Sequence, residues 1–423
     1  MSVQRDVHLV IGGGGFVGRH IVEQLVQRGE SVAVFSRVQR HYDVPFYSGD
    51  INDESQISQA IQKSGATCVF HTASPHAGSS DAATCWRVNV EGTKAIISAC
   101  VANGIKKLVY TSSSTVVFNG QDLIDVDERC PPPEVAMDHY NETKLRAEEL
   151  VLAANGKDGL YTVSLRPAGI FGPGDNQLIP GYAEAFKEGK AHYQIGDNTN
   201  LFDFTYVGNV AYAHILAAQK LIPPPVALDE DKVDEIINRS LPSIDATTGK
   251  HRIPSSDARP LGPYVDPPPN ADALLAAFND PSYVESRPVA RTRYDQFSKQ
   301  ALERSELPPL QVAGQAFFIT NGEPVYFWDF SRALWREMAL GKYPTKGFTV
   351  LPRTVGLTFA TMVEWWGWLT GTEPVFTRYR VTYSCANMYY NIEKARRLLG
   401  YEPQVGLEEG IKLSMEVRCF LLL

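Results

Sequence analysis

The run Gly12-Gly-Gly-Gly15-Phe-Val-Gly18 constrains this chain more than any other feature, because of where it stands. It directly follows the apolar run Val7-His-Leu-Val-Ile11 and directly precedes a helical stretch from Arg19 to Arg28. Glycines in that place permit backbone angles closed to other residues and let the main chain approach a pyrophosphate. The helix N-terminus then faces the phosphates with free N–H groups. The turn residues Gly12, Gly15, Phe16, Val17 and Gly18 are therefore the expected contacts of a dinucleotide.

The surrounding rhythm agrees. Short β-branched runs near 7–11, 31–35, 67–71, 107–111 and 161–165 alternate with longer amphipathic stretches. That alternation predicts an α/β fold, a Rossmann-type doubly wound parallel sheet with helices on both faces. The dinucleotide-binding domain is expected over 1–165. From Arg166-Pro-Ala-Gly-Ile-Phe-Gly-Pro-Gly174 onward, glycines and prolines forbid a continuous helix, so a smaller C-terminal substrate domain is expected over 166–423, with elements near 203–220 rejoining the first. A proline-rich insertion with Pro-Pro-Pro at 223–225 and 267–269 spans about 222–311, with a short helical patch from Ala271 to Phe278. At 423 residues and 44% hydrophobic content the chain can bury a core in each unit.

The second strand ends at Ser36, where a carboxylate would accept the ribose hydroxyls of NAD. Arg37, Arg40 and Arg19 stand close by, so a 2′-phosphate meets positive charge and no acid, which favours NADP over NAD. Acidic residues (48) outnumber basic ones (40), and no dense Lys/Arg block occurs, which argues against nucleic acid as a partner. The six cysteines are scattered and no His cluster has metal-ligand spacing, so reduced thiols and no metal are expected. No signal peptide is visible, and the most apolar segment, Gly347 to Leu369, is interrupted by Arg353 and Glu364, short of the roughly 20 apolar residues that span a bilayer.

Tyr140-Asn-Glu-Thr-Lys144 falls in a predicted helix, where a spacing of four puts the phenol and the ammonium on one face. A free tyrosine titrates near 10 and is a poor base, and an adjacent positive charge favours its phenolate. Tyr140 can then take a proton from a hydroxyl, with Lys144 tuning it and binding the nicotinamide ribose. Tyr110-Thr-Ser-Ser113-Ser114-Thr115 closes the strand near 107–111 and offers a hydroxyl to polarise the same oxygen: Ser113, with Ser114 as the second choice.

Taken together with Gly49-Asp-Ile51, Asn89-Val-Glu-Gly-Thr93 and the segment from Arg166, these motifs resemble the 3β-hydroxysteroid dehydrogenase branch of the extended short-chain dehydrogenases, over residues 5 to 220. Within that branch, Asp203-Phe-Thr-Tyr-Val-Gly-Asn-Val-Ala211 and Gly314 to Asp329 resemble the members that act on 4α-carboxysterols in the ergosterol route. The resemblance implies NAD(P)-dependent oxidation of a 3β-hydroxyl to a ketone, followed by loss of the 4-carboxylate as carbon dioxide. It implies Asp50 and Ile51 at the adenine, Ala73 and Ser74 beside the ribose, Pro167 and Ile170 at the nicotinamide carboxamide, and Asn89 in support of the active-site helix. It further implies a peripheral, cytosol-facing place on the endoplasmic reticulum membrane and partners among the other enzymes of sterol C4 demethylation. Phe348 to Trp368 carries aromatic residues suited to a headgroup interface, or else to a pocket or core.

Three departures qualify the pattern: Ile11 stands where the family often has Thr, Ser36 replaces the expected acid, and the insertion interrupts the substrate half. Arg353 and Arg378 are available basic residues for a substrate carboxylate. Alternative readings are another hydroxysteroid or triterpenoid dehydrogenase, a nucleotide-sugar epimerase, and a non-catalytic NADP-binding sensor. The sequence does not specify an oligomeric state.

Overall fold

The computed structural model describes residues 5–40, 43–77, 81–221, 296, 311–341, 343, 347–372, 374 and 376–419. The expected proline-rich insertion, with its helical patch, lies outside the described residues except for Gln296 and Gln311.

The first half alternates as its sequence rhythm requires. Strand β1 (Val7–Ile11) leads into α1 (Phe16–Gln27), then β2 (Ser31–Ser36), β3 (Phe46–Ser48), α2 (Glu54–Ser64) and β4 (Cys68–His71). After α3 (Ala82–Cys85) the chain winds through a wider π-helical turn, Trp86–Glu91, into α4 (Gly92–Ala102). Next come β5 (Lys107–Thr111), β6 (Leu123–Val126), α5 (His139–Ala153) and β7 (Tyr161–Pro167). The second half comprises β8 (Gly169–Phe171), α6 (Leu178–Lys187), β9 (Tyr193–Ile195), β10 (Leu201–Phe202), β11 (Phe204–Tyr206) and α7 (Val207–Lys220). Beyond the insertion lie β12 (Gln315–Ile319), β13 (Val325–Tyr326), α8 (Phe327–Met338), β14 (Thr349–Leu351), α9 (Arg353–Thr370), α10 (Arg378–Cys385), β15 (Met388–Tyr390) and α11 (Leu407–Cys419).

Seven strands form one sheet in the order β12-β7-β5-β4-β1-β2-β3, and every pairing in it is parallel. The order reverses between β1 and β4, which opens a crevice at their carboxyl ends, where open α/β sheets bind ligands. Alternate residues serve opposite faces: Leu9 and Ile11 join one core with Phe35, Val69 and Leu108, while Val10 joins the other with Val34, Phe70 and Val163. Each large apolar side chain so buried contributes roughly 1.5–3 kcal/mol.

Two elements from beyond residue 166 complete this half. Strand β12 forms the sheet edge by pairing along β7, from Gln315 beside Val163 to Ile319 beside Pro167. Helix α7 packs on α1, where Gln24 Nε2 donates to the Gly208 carbonyl at 2.8 Å. A smaller sheet, three strands of the second half and β6 of the first, runs β13-β10-β15-β6, and further parallel pairs join β11 to β8 and β14 to β9.

Candidate active site

The glycine turn is a cradle that side chains would destroy. Gly12 has φ +85°, and a Cβ there would stand 2.7 Å from the Ala73 nitrogen. At Gly14 a Cβ would approach the Val38 carbonyl to 2.6 Å and Ser36 Oγ to 2.9 Å, and at Gly18 it would sit 2.3 Å from the Gly12 carbonyl. Gly15 is the N-cap of α1, and no side chain caps this helix end and no acid occupies its first turn. Its amides and positive dipole end are therefore available to an anion beside Gly12, Gly15, Phe16, Val17 and Gly18. The residues fit a dinucleotide pyrophosphate.

Around the cradle the expected contacts are distributed unevenly. Ser36 closes β2 half-buried over Gly14, and Arg37 is exposed beside Asp50. Hydrogen bonds from the Asn52 backbone and side chain hold the Asp50 carboxyl below the usual range. Ile51 packs onto Gly92, and the Ala73 backbone lies against Gly12. Arg19 is not turned toward a ribose phosphate: its Nη2 donates to the Pro173 carbonyl at 2.6 Å. That contact ties α1 to the Gly172–Gly174 turn, so Arg19 drops out of the charge argument for NADP.

Helix α5 presents the proton-transfer pair. Asp138 caps it by accepting from the Asn141 N–H at 2.7 Å, and Tyr140 and Lys144 follow one turn apart. Asn89, in the π-helical turn, donates from Nδ2 to Thr143 Oγ1 at 3.0 Å and so steadies the helix. Burial pushes the Tyr140 phenol up to about 12, opposed by a hydrogen bond with Ser74. Burial pulls the Lys144 ammonium down to about 7, opposed by the Glu148 charge. Lys144 Nζ donates to the Thr111 carbonyl and lies 4.5 Å from the centre of the Tyr110 ring. Thr111 is in turn held by His214, whose Nδ1 donates to the Val210 carbonyl, leaving Nε2 to accept the Thr111 hydroxyl at 2.7 Å.

The two serines separate by exposure. Ser114 is 3% exposed, within a helical turn, whereas Ser113 is half-buried on the strand end and its hydroxyl lies 2.8 Å from Thr115 Oγ1. Pro167 is buried at the end of β7, and Ile170 is half-buried in β8 opposite Thr205. Tyr379 and Tyr383 of α10 stack with ring centres 5.7 Å apart; burial raises both phenols, and the nearby Tyr140 adds to the rise of each.

A further group was not singled out from the sequence. Glu148, one turn beyond Lys144, accepts from Arg166 Nε at 3.0 and 3.1 Å and from Nη2 at 2.6 Å, and from Ser164 Oγ at 2.8 Å. The i, i+4, i+8 series Tyr140, Lys144, Glu148 was the available signal.

Helix α9 turns its small residues inward and its large ones outward. Gly356, Ala360 and Gly367 are buried, while Phe359, Met362, Trp365, Trp366 and Trp368 are exposed, Trp368 to 79%. Its aromatic residues therefore fill neither core nor pocket. Among the described residues no helix is long and apolar enough to cross a membrane. Arg378 donates to Glu364 at 2.6 Å on the outer surface, and Arg353 is exposed at the start of α9.

Comparison with known proteins converges on one group. The model of the 3-beta hydroxysteroid dehydrogenase/isomerase family matches residues 9–231. The chain is 37% identical to a protein of Candida albicans over 98% of each chain, 36% identical to one of Saccharomyces cerevisiae over 97% of each, and 31% identical to one of Homo sapiens over 96% of this chain and 87% of that one. All three are named decarboxylating sterol-4-alpha-carboxylate 3-dehydrogenases. Among solved structures, UDP-glucose 4-epimerase of Thermus thermophilus with NAD matches with a TM-score of 0.58 at 20% identity over 97% of this chain and 98% of that one. WbmH of Bordetella bronchiseptica with NAD+ matches at 0.60 and 15% identity over 99% of each. At such identities these two establish the fold alone.

Proposed function

This chain belongs to the 3-beta hydroxysteroid dehydrogenase/isomerase family, and from that premise we propose that it oxidises the 3β-hydroxyl of a 4α-carboxysterol to the ketone and releases the 4-carboxylate as carbon dioxide, a step of sterol biosynthesis. The observation that carries this reading is that the likeness to the fungal enzymes runs through nearly the whole of both chains, so the substrate half is matched as well as the dinucleotide half. Intact Ser113, Tyr140 and Lys144 favour turnover over a sensor role.

A nicotinamide dinucleotide seated on the glycine cradle supplies the acceptor for the C3 hydride. Tyr140 takes the hydroxyl proton, Lys144 one turn further along α5 lends its charge, and Ser113 meets the same oxygen. The resulting β-keto acid loses carbon dioxide because the electrons of the breaking C4–carboxyl bond pass into the carbonyl as an enolate. Protonated Tyr140, with Ser113 once its proton is free, stabilises that oxyanion. Ser36 at the end of β2 and exposed Arg37 favour NADP over NAD.

The outward aromatic face of α9 supports peripheral contact with a bilayer, where a nearly insoluble sterol resides, on the cytosolic face of the endoplasmic reticulum beside the other C4-demethylation enzymes. Co-sedimentation with phospholipid vesicles, lost on replacing Trp365, Trp366 and Trp368 by Ser, checks this contact.

The test of function is incubation with a 4α-carboxysterol and NAD or NADP separately, following reduced cofactor and carbon dioxide. Equimolar release of both is expected, fastest with NADP. Reduced cofactor without carbon dioxide would leave a plain hydroxysteroid dehydrogenase.

A further inference from the structure

Asn141 follows Tyr140 in α5 and is 1% exposed. Its Oδ1 accepts from Thr115 Oγ1 at 2.6 Å, and Thr115 Oγ1 lies 2.8 Å from Ser113 Oγ. Donor counting gives this chain a direction. A hydroxyl carries one proton, and Thr115 commits its own to an amide oxygen that can only accept. The proton between the two hydroxyls must therefore belong to Ser113. With the Thr115 N–H also directed at it from 3.3 Å, Ser113 Oγ offers the substrate side a lone pair and no proton.

Such an acceptor suits the bound alcohol before oxidation, whose 3-hydroxyl rests donating to Ser113 until its one proton turns to Tyr140 as hydride leaves. The second half needs the reverse, because loss of carbon dioxide leaves negative charge on the C3 oxygen, and donors stabilise it. Asn141 can serve either state. Turned over, its amide would present Nδ2 to Thr115, free the Thr115 proton for Ser113, and free the Ser113 proton for the enolate oxygen. In the present orientation Nδ2 is buried against the Tyr379 phenol, which can accept from Nδ2 now and donate to Oδ1 after the turn, so that end keeps a partner either way.

We propose that Asn141 is a positioning residue that sets the donor direction of the Ser113–Thr115 hydroxyl pair, accepting during oxidation and donating during decarboxylation. The inference rests on the decarboxylating-dehydrogenase reading. In the first step the C3–H bond breaks with hydride passing to the nicotinamide dinucleotide, the O–H proton passes to Tyr140, and C3=O forms. In the second the C4–carboxyl bond breaks, its electron pair forms C3=C4, the carbonyl pair moves onto O3, and carbon dioxide leaves. A proton from solvent later returns to C4.

Asn141→Asp separates the two directions, because its carboxylate can only accept. The variant is expected to form reduced cofactor while carbon dioxide lags, the early ratio of carbon dioxide to reduced cofactor falling from one to about one tenth or less, since loss of an oxyanion donor slows such steps about 10²–10³-fold. The deficit should close as pH falls and the aspartate gains a proton that it can donate. Thr115→Val cuts the chain at its middle with little change of shape, and should slow cofactor reduction up to about 10-fold, the upper end of what one neutral hydrogen bond supplies, while carbon dioxide stays equimolar. A folded Asn141→Asp enzyme with equimolar carbon dioxide at every pH would overturn the proposal. Were that variant not to fold, a Thr115→Val enzyme with wild-type rates would do the same. A wild-type enzyme that releases no carbon dioxide defeats the parent reading instead.

Discussion

Replacing Glu148 by Gln should destabilise the protein measurably and disturb Lys144 at the same time. Glu148 and Arg166 side chains are 2% and 8% exposed and share three N–H···O contacts of 2.6–3.1 Å. Burial alone would raise the Glu148 carboxyl, but the Arg166 charge and the hydrogen bonds from Arg166, Ser112 and Ser164 more than offset it and hold it below its usual value. Gln keeps the volume and one acceptor but leaves buried Arg166 without its hydrogen-bonded counter-ion, with only the charge of Glu128 still acting on it. Breaking such a pair costs about 3–5 kcal/mol, and the retained acceptor argues for about 3 kcal/mol. With an unfolding entropy of about 2.1 cal/mol/K per residue, that loss over this chain lowers Tm by about 3 °C. Lys144 also loses the carboxylate that supports its charge, so its pKa falls below about 7 and the pH–rate profile of oxidation shifts. Thermal unfolding and pH profiles of wild type, Glu148→Gln and the double variant Glu148→Leu/Arg166→Met provide the assay. Removing both charges should restore most of the lost stability, because no ion is then left unpaired. A double variant less stable than Glu148→Gln would refute this account. The sign of the pH effect is also set. A carboxyl held low in the folded state stabilises above its unfolded pKa, and that contribution disappears as acid titrates it through the lower folded value.

Three further outcomes are expected. Gly18→Ala should abolish dinucleotide binding measured by fluorescence titration, since its Cβ would lie 2.3 Å from the Gly12 carbonyl oxygen and force the cradle open. Asp203, buried and pushed up to about 8 by desolvation, is protonated in the folded protein, so it withdraws stability as pH rises from its unfolded value near 4 to about 8; Asp203→Asn should flatten that slope in urea unfolding measured across pH. Ser113→Ala should lower kcat/KM by about 10²-fold with little change in Tm, whereas Ser114→Ala should spare kcat/KM, and equal kinetic losses would remove the distinction between them.

What the chain alone determined is local. The order of strand, glycines and helix is contiguous, so β1, the cradle and α1 follow from neighbouring residues, as do the five strands read near 7–11 to 161–165. Tyr140 and Lys144 share a face because helical geometry places residues four apart together. Ser113 and Ser114 could not be separated in the same way, since only the packed turn after β5 shows which hydroxyl stays accessible. Tertiary structure decided whatever depends on partners distant in sequence. Strand β12 reaches the sheet edge from beyond the insertion, Arg19 is captured by Pro173, Glu148 meets Arg166 across a helix and a strand, and Asn141 finds Thr115 in a turn that precedes its helix. The outward face of α9 belongs here as well. Periodicity divides a helix into faces, but its neighbours decide which face is buried, and here Gly356, Ala360 and Gly367 allow close approach while the tryptophans remain outside. Side-chain hydrogen bonds and ion pairs between such distant residues require a geometry of a few tenths of an ångström that only the closed fold supplies.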